Sequence, residues 1–351
     1  MNSGPRCDRK NYSLFHEPWE RTFTTLVEYC SFDHVLRRRG AKLRAFPIRP
    51  FDCVVGVVLA SSFLAGPVLA ANPIPIPDFS GIWGRNFLFF EPPISGAGPI
   101  VSQRRNPDGT METARAQVGD YTNPILKTQA AAALKKHGEN SLRGIVDPDP
   151  HSQCWPEPVP FALSVQFGME ILQQKDELTI FYLSDHQVRH VRMNAAHPAR
   201  LTPTWQGDSV GHYEGDTLVI DTIGQKVGPL SMVDLFGTPF SGSLHVVERY
   251  RSIDGAATRE AQMRHESTYF PRGVSSPLTN EYGRGDIDPD TAKKGLQVEI
   301  TVDDPGVFTK PWSALVTYRH VLGEWPEAVC AENTREFGLD GKPPVAGKPD
   351  F

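Results

Sequence analysis

Six of the chain's eleven histidines, His186, His190, His197, His212, His245 and His265, fall between positions 186 and 265. A neutral imidazole can act as acid, base or metal ligand near neutral pH. Carboxylates and a guanidinium lie in the same stretch: Asp221, Glu248, Arg249 and Glu266. Read as strands, "QVRHVRM" (187–193) sets His190 on one face with Val188 and Arg192, and "LHVVERYRS" (244–252) sets His245 with Val247 and Arg249. On the same reading "TREAQMRHESTY" (258–269) sets His265 with Met263 and Tyr269. In a barrel those mixed faces would line the lumen, where polar groups need partners or a purpose. The pattern nominates His197, His245 and Asp221 for proton transfer, with Glu248 and Arg249 as orienting or charge-stabilising groups. Tyr213, Trp205, His190, His265 and Tyr269 are the matching candidates for substrate contact.

Two other chemistries are written in the same region. "GDSVG" (207–211) fits the G-x-S-x-G pattern of a nucleophile elbow, which requires a strand, a strained turn and then a helix. Ser209 is instead followed by "VGHYEGDTLVID", with β-branched residues and a Gly-Asp turn, so the stretch is expected to be a loop entering a strand. A serine hydrolase using Ser209 stays as an alternative. His186 and His190 have metal-like spacing only on a helix; along a strand they would stand about 13 Å apart. No metal ligand set is assigned, although a metal ion at converging histidines remains open. "DIDPDTAKKGLQ" (286–297) starts like a calcium loop but has Thr291 where glycine belongs and Gln297 where the last glutamate belongs, so it reads as a solvated acidic turn. No organic cofactor motif is present.

The elements that must position these residues read mainly as strands. Strands are expected at 163–171, 177–183, 187–193, 216–223, 244–252, 258–269, 295–304 and 313–321, with "EGD" and "IDGAA" at the turns. "NPILKTQAAAALKKHGE" (123–139) is the one expected helix of length, stopped by Gly138. Thirty glycines and 31 prolines fit short strands joined by turns. Successive antiparallel strands with hardly any helix between them predict a barrel, with one or two short helices.

The N-terminus is a separate matter. Basic "RRRGAKLRAFPIR" (37–49), apolar "CVVGVVLASSFLAG" and small "PVLAAN" form an export signal, cut after Ala70 or Ala71. The apolar run is about 13 residues, short of the ~20 needed to span a bilayer, so no stable membrane span is expected. Residues 1–71 are thus signal plus a long extension, 72–335 one barrel domain with an insertion at 270–294, and 336–351 a tail. Export leaves Cys154 and Cys330, which read as one disulfide, worth up to ~5 kcal/mol in the chain-entropy model. A net charge of -5 offers no basic field for nucleic acid. The expected compartment is the periplasm or exterior of a Gram-negative bacterium.

Phe79, Gly81 and Trp83 in "PDFSGIW" resemble the first strand of lipocalin-like (calycin-type) barrels, where tryptophan plugs one end. With "PTWQGDSVGHYEGDTLVIDTIG", "LHVVERYR", "VDDPGVFTKPW" and "VCAEN", the string resembles an uncharacterised family of exported bacterial proteins across residues 78–335. Members carry "GHSVGRWEGDTLVVDT"; here Asp208 replaces that histidine, so a chemistry resting on it would not operate in this chain. The resulting expectation is an exported enzyme performing cofactor-independent acid/base chemistry, of lyase, isomerase or hydratase type, on a small apolar or aromatic molecule. A lipocalin-like carrier without turnover is the alternative from another class. Oligomeric state is left open.

Overall fold

Apolar residues alternate along most of the chain from Met169 onward, and a pleated strand with that alternation must bury one face. The computed structural model describes residues 76–85, 87–112, 117–165, 167–269 and 286–323. All belong to the unit Ala70–Phe351. The strands are β1 (Gly81–Gly84), β2 (Met169–Gln173), β3 (Glu177–Tyr182), β4 (Gln187–Met193), β5 (Asp208–Glu214), β6 (Thr217–Ile223), β7 (His245–Ile253), β8 (Asp286–Ile287), β9 (Gly295–Asp303) and β10 (Trp312–Leu322). The helices are α1 (Thr128–Leu142), α2 (Phe161–Ser164) and α3 (Gly255–Tyr269). Strands β1 to β7, β9 and β10 pair in that order, and β1 returns to β10 through Trp83 and His320, which closes a barrel of nine strands. Among the described residues, no helix is long and apolar enough to cross a membrane.

The barrel is mixed, which corrects the expectation of a wholly antiparallel sheet. Strand β4 runs parallel to β5, with Val191 opposite Ser209. A parallel neighbour cannot be reached by a tight turn, so the chain crosses over through residues 194–207. "GDSVG" is not a loop before a strand: Gly207 precedes β5, and Asp208 to Gly211 are already within it, with the turn at Gly215 (φ 64°) joining β5 to β6.

The interior is filled. Ile180, Val191, Leu218, Ile220, Val246, Val298 and Ile300 are fully buried. In their midst Arg189 spends all five guanidinium N–H groups, which is the full donor inventory of that side chain. Nε donates to Ser209 Oγ (3.0 Å), Nη1 to the Tyr182 hydroxyl (3.1 Å) and Glu248 Oε1 (3.2 Å), and Nη2 to Thr222 Oγ1 (2.5 Å) and Glu248 Oε2 (2.5 Å). Tyr250 adds a donor to Glu248 at 2.8 Å. Burial opposes the guanidinium charge, yet the Glu248 carboxylate holds its pKa above the ordinary range. Burial also pushes the Tyr182 hydroxyl up to about 12. At one end of the barrel Trp83 is buried, its Nε1–H donating to the Phe79 carbonyl (2.9 Å) and its ring against His320 (3.8 Å).

Residues 258–269, expected as a strand, are helical. Asp254 accepts the Ala257 N–H at 2.8 Å and so caps α3, and Thr258, Ala261, His265 and Tyr269 form its buried stripe at spacings of three and four. Met263, which a strand would put on His265's side, is exposed. Residues 161–164 form the turn of α2, so the expected strand at 163–171 begins only at Met169. Helix α1 runs through Gly138 to Leu142, and Gly144 at φ 76° follows its end. The export signal, most of the 270–294 insertion, Cys330 and the C-terminal tail lie outside the described residues.

Candidate functional site

Strands β4 to β7 lie side by side, and their outer faces carry a connected row of charged groups. Arg192 of β4 donates through Nη2 to both oxygens of Asp208 on β5, at 2.8 and 2.9 Å. Asp208 Oδ1 also accepts from His197 Nδ1 at 2.6 Å. The other nitrogen of that ring, Nε2, donates to Oδ1 of Asp221 on β6 at 3.1 Å, and the same oxygen accepts from Nε2 of His245 on β7 at 3.0 Å. A carboxylate only accepts, so His197 makes both contacts as hydrogen bonds only with a proton on each nitrogen. His197 belongs to the 194–207 crossover, so the parallel step in the sheet is what carries this histidine over the strands.

Beside His245 lies an open groove of about 760 Å³. One wall is the crossover, with Leu201 and Pro203; the floor is the exit from β6, Ile223 to Val227; the far wall is Gly242 to Leu244. Gly224 turns the floor at φ 69°, and a Cβ there would lie 1.7 Å from Leu201 Cδ2, so glycine serves both the backbone and the wall. Asp221 holds His245 through Nε2, and Nδ1 has no hydrogen-bond partner among the described residues. A histidine oriented by a carboxylate, with its second nitrogen open, is the arrangement of a general base.

The structure gathers three of the nominated residues, His197, Asp221 and His245, and separates the rest. Arg249 is on the outer face too, but it pairs with Glu214 (2.6 Å) further along the strands. Glu248 points the opposite way from its neighbour, into the barrel, where it holds Arg189; successive strand residues face opposite sides. His190 is exposed on the outside of β4 with Glu177 (2.6 Å) rather than in the lumen. Tyr213 accepts from Gln173 Nε2 (2.9 Å) next to the chain's entry at Pro77, away from the groove. Trp205 packs on Trp155 (5.1 Å) and lies under Lys226 Nζ (4.8 Å), and it does not itself line the groove. His265 and Tyr269 are on α3; His265 Nε2 donates to the Leu88 carbonyl (2.9 Å), and burial pushes its imidazole down to about 3. Ser209 is buried between Arg189 Nε and Thr222 Oγ1 (3.0 Å each), with no histidine among its partners.

Arg192, Asp208 and the groove residue Ser243 were not nominated from sequence. Asp208 read as the loss of a histidine, yet it is the group that fixes His197. Among the described residues, no three His, Cys, Asp or Glu side chains converge to hold a metal ion. No family model, no curated protein and no solved structure matches the chain.

Proposed function

We propose that this is an exported enzyme, periplasmic or secreted, that performs acid/base chemistry without an organic cofactor on a small apolar or aromatic molecule held in the groove. The observation that carries the reading is His245: it lines the groove and is held through Nε2 by an aspartate that also binds a second histidine. In this reading Nδ1 of His245 takes a proton from the substrate and gives it back to the product or leaving group, Asp221 orients the ring and stabilises the imidazolium between the two transfers, and His197 holds Asp221 in place. Lyase, isomerase and hydratase steps all fit, since each can be built from a proton taken at one carbon or oxygen and delivered to another. The Cys154–Cys330 disulfide belongs to the same exported reading.

A lipocalin-like carrier would hold its ligand inside the barrel. The Arg189–Glu248 network and the apolar residues around it occupy that space, so the enzyme reading is preferred. The test is consumption of a panel of small aromatic and alicyclic compounds by purified protein, followed by mass spectrometry. Catalytic consumption is expected, and His245→Ala is expected to abolish it with circular dichroism unchanged. Full activity in His245→Ala would remove the residue from the mechanism, and stoichiometric retention would return the protein to the carrier class.

A further inference from the structure

The far wall of the groove carries a second polar side chain close to His245. A turn at 241–244, closed by the Leu244 N–H on the Ser241 carbonyl (3.1 Å), sends Leu244 into the core at 2% exposed. Ser243 and His245 stand on either side of it, and both line the groove. Ser243 is exposed; its backbone N–H donates to Ser241 Oγ (3.1 Å), while its own hydroxyl has no hydrogen-bond partner among the described residues. A hydroxyl rotates to suit its partner and can donate as well as accept. Two residues of chain span at most about 7 Å, so one small molecule reaches both side chains. Leu201, Pro203, Ile223 and Val227 supply apolar surface around them.

A base that takes a proton from carbon leaves an electron pair that must move onto an electronegative atom. A donor placed where that charge develops accelerates the step, because it binds the transition state more strongly than the neutral ground state. We propose that Ser243 is a catalytic residue that donates this hydrogen bond, and that the substrate is a small apolar carbonyl compound with a proton on the carbon next to its C=O. His245 Nδ1 takes that proton, the C–H pair becomes a C=C bond, and the C=O π pair moves onto oxygen as an enolate held by the Ser243 O–H. The imidazolium then returns the proton, to the same carbon in exchange or to the far carbon of an adjoining C=C in isomerisation, so that protons and electrons balance within substrate and histidine. Lys226, which also lines the groove, adds its charge to the field at the enolate without being the donor, since its Nζ is engaged over the Trp205 ring (4.8 Å). The inference rests on the acid/base reading for the base and adds to it the substrate class and the group that stabilises the charge.

The experiment incubates the full protein in deuterium oxide with 1-indanone, acetophenone and cyclohexanone, and follows deuterium uptake at the carbon beside the carbonyl by proton NMR and mass spectrometry. Uptake above the buffer rate is expected for at least one ketone. Ser243→Ala is expected to lower its kcat by about 100-fold or more with KM little changed, because the lost donor acts on the enolate. Ser243→Thr is expected to recover most of that loss, His245→Ala to abolish uptake, and the melting temperature of Ser243→Ala to match the wild type, since the side chain is exposed. Uptake in Ser243→Ala within a few-fold of wild type, a rise in KM at unchanged kcat, or no recovery in Ser243→Thr would overturn the role of Ser243. Absence of uptake with all three ketones would overturn the substrate class: if the wider panel is still consumed in a His245-dependent way, the acid/base reading stands without it, and if nothing is consumed both fall.

Discussion

Asp234 offers a test of the fold's electrostatics that needs no ligand. It sits in "VDLFGTP" between β6 and β7, 2% exposed, and its Oδ1 accepts the N–H groups of Phe236 (2.9 Å) and Thr238 (3.2 Å). Its Oδ2 is buried without a partner. Burial outweighs the hydrogen bonds and pushes the carboxyl from 3.8 up to about 6. The folded state therefore holds a proton that the unfolded chain has already released. Below about pH 4 both states are protonated and nothing is lost; as pH rises through 6 the folded state must ionise a buried acid, and stability falls. A gap of that size corresponds to about 3 kcal/mol. Asp234→Asn keeps the Oδ1 acceptor and cannot ionise, so the difference in unfolding free energy between variant and wild type should move by about 3 kcal/mol in the variant's favour between pH 4 and pH 8. Urea unfolding at a series of pH values reads this as a relative midpoint shift of about 1 M or more. Wild-type and variant midpoints that run parallel across that range would refute the reasoning.

Two further predictions concern buried charge. Glu248→Ala strands the Arg189 guanidinium inside the barrel and should cost about 3–5 kcal/mol in thermal or chemical unfolding, whereas Arg189→Met combined with Glu248→Met should cost less; a larger loss in the double variant would mean that the pair itself, not the unpaired charge, carries the effect. His265, pushed down to about 3 by burial, should stay neutral at pH 5 in long-range nitrogen-15 NMR spectra. Because the unfolded imidazole takes up a proton near 6.5, this residue also withdraws stability as pH falls from there, opposite in sign to Asp234; an imidazolium signal for His265 at pH 5 would refute the burial argument.

The strands were legible because pleated backbones impose period two, and the ranges expected for β3, β4, β6, β7, β9 and β10 lie within a residue or so of those observed. Face assignment was not. The residues flanking His190 and His245 alternate apolar and charged on both sides, and only the third dimension shows that Arg189 and Glu248 go inward while His190 and His245 go out. For α3 the misreading has a local cause: "TREAQMRHESTY" alternates weakly in polarity, but Asp254 before Gly-Ala-Ala is a capping signal, and Ala, Glu, Arg, Gln and Met are strong helix formers. The parallel step between β4 and β5 leaves no mark in either strand; its trace is only that residues 194–207 are too long for a hairpin. That same length delivers His197 to Asp221. Ser243 could not have been found at all from sequence, because lining a groove is a property of the fold around it.

The interior network and the outer row are two sides of the same four strands. Ser209 and Thr222 face inward to Arg189, while their neighbours Asp208 and Asp221 face outward to His197. A one-residue slip in β5 or β6 would exchange these faces, placing a serine or threonine before His197 and an aspartate before Arg189. Apolar side chains alone resist such a slip only through volume, whereas Arg189 on β4, with five directional donors spread over β3, β5, β6 and β7, resists it through geometry as well. The buried ion pair thus selects register across the one parallel step in the barrel, and register is what brings Asp221 within 3.1 Å of both histidines. Ser209, whose motif first suggested a nucleophile, takes part in that selection from the inside.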